Sequence, residues 1–358
     1  MGATKTVTSL PVVSVIIPAR NEEVCLGDCL QSIVSQTGVD FEVIVVDDHS
    51  IDRTREIADS FAADRGNVRL IEAGPLPEDW TGKNNAVTTG ARQAQGNWLL
   101  FTDADTVHLP GSLARALAEA RENQVDLLSY SPEQIAVTFW EMAVLPVVFA
   151  ELARQYPLAK VSDPNSPEAA ANGQYILVQR EAYDAVGGHA AIAGDILEDV
   201  ALARAVKSSG HKIRFRYAAD AVRTRMYRNY QQLRDGWTKN LALLFPNPGR
   251  LAIETIALWL ACVIAVVPAV ALVSVRWSAI LVVFVCVSYM RIKRANFSRL
   301  NTNLGVWFGM PMFAYLLLRS KRMHAKGGVS WKGRTYAGEK QEPTKRSKHF
   351  PTAARKLS

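Results

Sequence analysis

Cysteine is scarce in this chain, four residues in 358, and none of the four has metal-ligand partners at a zinc spacing beside it. Cys25 and Cys29 stand one helical turn apart, while Cys262 and Cys286 fall inside apolar runs, so reduced structural thiols are expected. No helix-turn-helix signal and no RNP motif accompanies the net charge of +7, which argues against nucleic acid as a partner. Residues 1–10 lack the apolar core of a signal peptide, so the large domain is expected in the cytosol. Residues 1–11 read as a flexible terminus. They also fit the loose pattern for N-myristoylation, and fraying is the equal reading.

Long apolar runs are confined to the C-terminal third. Residues 251–275 carry a single charge, Glu254, and match the roughly 20 apolar residues that cross a bilayer. Residues 277–290 form a second, shorter run that tilt or the flanking Arg276 and Arg291 would accommodate. Residues 304–318, interrupted by Gly309 and Pro311, form a third that is short for a span and reads equally as re-entrant or interfacial. Arg291, Lys293, Arg294 and Arg299 follow the second run, and Arg319, Lys321, Arg322 and Lys326 open a basic tail over 319–358. By the positive-inside rule both flanks are cytoplasmic, and anionic lipid headgroups account for the basic balance. The expected location is a bacterial-type inner membrane, crossed more than once, with the catalytic domain in the cytosol.

The first 240 residues read differently. Apolar runs at 12–18, 41–46, 68–71 and 98–102 alternate with helical patterns, the signature of a doubly wound, mostly parallel α/β sheet. A longer segment, 137–156, is too polar to span and too apolar for a free surface helix; an in-plane membrane helix, an acceptor-lining wall and a plain core helix all fit it. Two of the runs deliver carboxylates: 43–46 ends in Asp47 and Asp48, and 98–102 ends in Asp103-Ala104-Asp105. In open α/β sheets ligands sit outside the carboxyl ends of the strands, so these four acids are expected around one crevice. Clustered carboxylates repel unless compensated, which makes a divalent cation and its phosphate ligand natural partners. Helix capping by Asp48 and Ser50 is the structural alternative.

Taken in order, Pro18-Ala19-Arg20-Asn21-Glu22, Asp47-Asp48-His49-Ser50, Gly82-Lys83, Asp103-Ala104-Asp105, Gly187-Gly188-His189 and Glu198-Asp199 resemble the family 2 glycosyltransferases with a GT-A fold, over roughly residues 12–240. The apolar C-terminal runs, Trp80-Thr81-Gly82-Lys83 and Trp331-Lys332-Gly333-Arg334 are similar to the membrane-anchored bacterial members associated with hopanoid and carotenoid glycosylation. The resemblance implies a nucleotide-sugar donor, UDP- or GDP-linked, held by Pro18, Ala19, Arg20, Glu22, Asp47, Asp48, Lys83, Asp103 and Arg234. It implies Mg²⁺ or Mn²⁺ on Asp105, with Asp103 assisting. Asp199 would be the general base, oriented with the acceptor by Glu198 and kept ionised at a helix N-terminus. His189 and Trp237 would line the acceptor pocket; a turn residue and core packing are their respective alternatives. Processive members carry Gln-x-x-Arg-Trp, whereas here two residues separate Arg234 from Trp237, which favours transfer of a single sugar.

The expectation is an inverting glycosyltransferase acting on a lipid-like, membrane-resident acceptor. Two rivals also use carboxylates at strand ends: a metal-dependent nucleotidyltransferase or phosphohydrolase, and a non-catalytic membrane scaffold that binds nucleotide-sugar.

Overall fold

Along β1 (Val13–Ala19) the side chains alternate between two apolar layers, Val15 and Ile17 into one and Ile16 into the other. β2 (Phe41–Asp47) splits in the same way, with Val43 and Val45 opposite Ile44 and Val46. Both strands are therefore buried on both faces, the condition for a parallel sheet covered by helices. The computed structural model describes residues 11–271 and 300–331, together with 278–279, 282–283, 286, 290 and 334–336.

The helices α1 (Leu26–Val34), α2 (Thr54–Asp64), α3 (Gly82–Gln93) and α4 (Ser112–Glu122) alternate with β3 (Val68–Glu72), β4 (Trp98–Phe101), β5 (Thr106–His108) and β6 (Leu127–Ser131). There follow β7 (Glu133–Gln134), α5 (Phe139–Gln155), α6 (Leu158–Ser162), β8 (Ile176–Gln179), α7 (Arg180–Ala185), a 3-10 turn at Gly188–Ile192, α8 (Glu198–Ser208), β9 (Ile213–Tyr217) and β10 (Val222–Thr224). The main sheet has the order β3-β2-β1-β4-β8-β6-β9, with β8 antiparallel to both its neighbours and every other pairing parallel. Chain order reverses between β1 and β4, which opens a crevice at the carboxyl ends of β1, β2 and β4. A small sheet, β5-β10-β7, closes one side of it.

Beyond the sheet, α5 packs with α9 (Tyr230–Leu244), α10 (Pro248–Ala271) and α11 (Leu300–Ala325) around Val144, Val148, Leu241, Phe313 and Leu317. A hairpin of β11 (Val329–Trp331) and β12 (Arg334–Tyr336) follows. Segment 137–156 is thus both core and wall: one face is buried against α11, and Phe149, Leu152, Ala153 and Tyr156 line the crevice. The run at 304–318 lies inside one continuous helix that extends to Ala325, seven residues into what reads as tail. Among the described residues no single helix is long and apolar enough to cross a membrane; Tyr230–Leu244 and Pro248–Ile264, bent by 112°, pass that test only as a pair. Most of 277–290 and all of 337–358 lie outside the described residues.

The α5–α11 contact depends on glycine. A Cβ on Gly309 would lie 1.8 Å from the Ala143 carbonyl oxygen, and one on Gly305 would lie 3.0 Å from that of Met142. Gly309→Val should separate the two helices and destabilise the protein by roughly 3 kcal/mol or more, read as a lower melting temperature in detergent.

Candidate active site

The strand-end loops of β1 and β2 turn toward each other because Asn21 and His49 both take left-handed backbone, with φ of 53° and 55°. They are then cross-linked: the Asn21 N–H donates to Ser50 Oγ at 3.0 Å, and the Ile51 N–H to Asn21 Oδ1 at 2.9 Å. The Arg20 guanidinium donates to the Asp48 carbonyl oxygen at 2.6 Å. Pro18, Ala19, Arg20, Glu22 and Asp48 consequently form one wall of a cavity of about 890 Å³.

Asp103 and Asp105, which follow β4, also line the cavity. The segment is anchored from below, where Thr224 Oγ1 on β10 donates to the Asp105 carbonyl at 3.2 Å and Thr102 Oγ1 donates to the Gln174 carbonyl at 2.8 Å. Lys83, from the first turn of α3, joins this end to the next pair of acids. Its ammonium lies 2.7 Å from Asp103 Oδ1 and 2.6 Å from Glu198 Oε1. Burial works against that ammonium, but the charges of Asp103 and Glu198 outweigh it and hold its pKa well above the usual lysine value.

Glu198 and Asp199 open α8, and their environments push them apart. Burial disfavours the Glu198 carboxylate, yet Lys83 and Lys239 more than compensate and leave its pKa lowered. Asp199 accepts the Gly173 N–H at 3.0 Å and the Val200 N–H at 2.8 Å. Those donors do not keep it at the ordinary value expected from a helix N-terminus: burial, and then the charge of Glu198, push it up to about 6. A carboxylate in that range remains largely ionised at neutral pH and is a better proton acceptor than an ordinary aspartate. A side chain at Gly173 would intrude here, since its Cβ would sit 3.1 Å from Lys83 Nζ and 3.3 Å from Glu198 Oε1.

Residues 14–186 match the family description Glycosyl transferase family 2. Over 342 residues the chain is 30% identical to the 4,4'-diaponeurosporenoate glycosyltransferase of Staphylococcus aureus strain MRSA252, a match that covers 92% of this chain and 89% of the relative. The chain belongs to glycosyl transferase family 2. A mannosyltransferase from Pyrobaculum calidifontis, solved in complex with GDP-Man and Mn²⁺, shares the fold with a TM-score of 0.54 at 19% identity, over 88% of this chain and 87% of the other.

Within this family 2 glycosyltransferase three residues singled out from the sequence lie off the cavity wall, and a fourth lines it from the helical core. Asp47 is not on the crevice wall; it is 2% exposed, and its Oδ1 accepts the Ser50 N–H at 3.2 Å, holding the turn beneath Asp48. His189 is core, with Nδ1 3.0 Å from the Tyr183 hydroxyl and its ring edge-on to Phe101. Arg234 is outside the cavity lining and pairs with Asp235 through two contacts of 2.8 and 3.2 Å. Trp237 does line the cavity, but as a buried member of the helical core packed on Phe149 and Tyr227. Among the described residues no three His, Cys, Asp or Glu side chains gather as a ready-made metal cage.

Several wall residues carry no signal in the sequence. Gly173 follows a run of alanines in an otherwise loop-like stretch. Lys239 sits in α9, where burial lowers its pKa against the pull of Glu198. Arg225 holds Glu141 of α5 through contacts of 3.0 and 3.2 Å, tying residues 225–229 of the crevice wall to the helical layer.

Proposed function

We propose that the protein is a membrane-associated, inverting glycosyltransferase that moves a sugar from a UDP- or GDP-sugar to a hydroxyl or carboxylate of a lipid-like acceptor. The observation that carries this reading is the presence of two chemistries in the lining of one cavity. Its lining includes Arg20, Asp48, Asp103 and Asp105, suited to a nucleoside and its diphosphate. The same cavity is also lined by Asp199 and by the apolar Phe149, Leu152, Tyr156, Phe215 and Leu244. An apolar acceptor would be desolvated there with its nucleophilic oxygen near the proton acceptor. Family membership favours this reading over the nucleotidyl-transfer, phosphohydrolase and scaffold alternatives.

Asp103 and Asp105 match what Mg²⁺ or Mn²⁺ asks of a protein, one or two carboxylates with substrate phosphates completing the shell. Such an ion, held by Asp105 with Asp103, would supply positive charge to the departing diphosphate. The chain's own part is positional. Asp199 takes the acceptor's proton as the oxygen bonds to the anomeric carbon and the bond from that carbon to the diphosphate oxygen breaks, with inversion. Glu198, fixed by Lys83, holds its charge beside the base.

The expected location is the cytosolic face of a membrane, with α10 and α11 and the run at 277–290 as the attachment. Full-length protein in detergent, given UDP- and GDP-sugars, Mn²⁺ and a total lipid extract, should release nucleoside diphosphate and form a glycolipid. Release of pyrophosphate or inorganic phosphate, or release that does not depend on the lipid, overturns the reading. Protein that leaves the membrane fraction in high salt overturns the attachment.

A further inference from the structure

Three arginines line the crevice, and two of them are already committed. Arg20 donates to the Asp48 carbonyl and Arg225 grips Glu141. Arg228 differs. Among the described residues no carboxylate lies within ion-pair distance of it; its guanidinium reaches Cys25 Sγ at 3.5 Å, a weak acceptor, and its backbone N–H donates to Gln232 Oε1 at 2.8 Å. Burial raises the Cys25 pKa, so the sulfur partner is a neutral thiol. A side chain with five N–H donors in a planar fork is therefore served by one sulfur contact.

Its position gives the fork a use. Cys25 precedes α1 on the donor wall, and Arg228 stands on the 225–229 segment between β10 and α9, so their contact spans the crevice. Arg228, Cys25, Asp103 and Asp105 all line the same cavity. Arg234, the guanidinium that the sequence suggests for the phosphate, is occupied by Asp235 and does not line the cavity.

Resting on the nucleotide-sugar reading above, we propose that Arg228 is the guanidinium that binds the donor's diphosphate, exchanging its contact with Cys25 for phosphate oxygens across the crevice. The fork matches two phosphate oxygens in a way that a point charge does not.

The test is a titration of the full-length protein in detergent with UDP and with GDP, in the presence of Mn²⁺. Arg228→Gln should weaken nucleoside diphosphate binding at least about tenfold, Arg228→Lys should recover part of the loss, and Arg234→Gln should stay within about twofold of wild type. Nucleoside diphosphate should also change the rate at which iodoacetamide modifies Cys25 in wild type, and not in Arg228→Gln. Equal melting temperatures keep the comparison free of misfolding. If wild type binds and Arg228→Gln binds equally well, or if Arg234→Gln is the variant that loses affinity, the proposal is overturned. If wild type binds neither UDP nor GDP, the nucleotide-sugar reading falls and takes the proposal with it.

Discussion

Asp199→Asn should lower kcat by about 10²- to 10⁴-fold while leaving nucleoside diphosphate affinity nearly unchanged. The amide keeps the size of the side chain and still accepts a backbone N–H, but it cannot take a proton. Donor binding is spared because the donor's nucleoside and diphosphate are assigned to other side chains. The pH dependence gives an independent check. A base works in its ionised form, so with Asp199 near 6 the profile of kcat/KM should be flat above that pH and fall tenfold per unit below it. Glu198→Gln removes the negative neighbour that helps raise Asp199, so the acidic limb should move to lower pH. Lys83→Met removes a cation that lowers Asp199, so the limb should move the other way. A limb that stays put in both variants would mean that another group titrates in the wild-type profile.

Much of the frame that positions these residues is legible in the sequence, because it rests on local pattern. The apolar runs at 12–18, 41–46 and 98–102 become β1, β2 and β4 with ends shifted by a residue or so, and their terminal acids do reach one end of the sheet. What escapes the sequence is set by long-range pairing. The run ending at Gln179 reads as a strand, but nothing local says that β8 runs antiparallel to β4 and β6. β9, with Arg214 and Arg216 inside it, lacks an apolar signature because both guanidinium groups are spent on Glu119, about a hundred residues earlier. The same applies in the site. Gly187-Gly188-His189 has the look of a mobile loop, yet Tyr183 bonds both the ring and the backbone N–H of His189 and pins it in the core. Lys83 is read from the sequence as a cation for phosphate; only the fold shows Asp103 and Glu198 closing on it from opposite sides.

That closure separates the two acids that follow β4, and it bears on the other large expected effect. Asp103 already gives one oxygen to Lys83 at 2.7 Å. With Asp105 as the proposed ligand of a divalent cation, Asp105→Ala should cut turnover by about 10³-fold or more, as expected when several kcal/mol of transition-state charge stabilisation is lost. Chelation with EDTA should reduce wild type to the same level. Added Mn²⁺ or Mg²⁺ should restore wild type and leave the variant inactive. Asp103→Asn should show a smaller loss, because an amide oxygen can still accept from the Lys83 ammonium, and Asp47→Asn a smaller one again, because Asp47 serves the turn beneath the crevice. Paired measurements of turnover against Mn²⁺ concentration separate the three: a shifted metal requirement is expected for Asp105 and, more weakly, for Asp103, and an unshifted one for Asp47. Turnover that survives both EDTA and Asp105→Ala would leave the charge of the departing diphosphate to Arg228, Lys83 and Lys239, making this a crevice that works through its own cations.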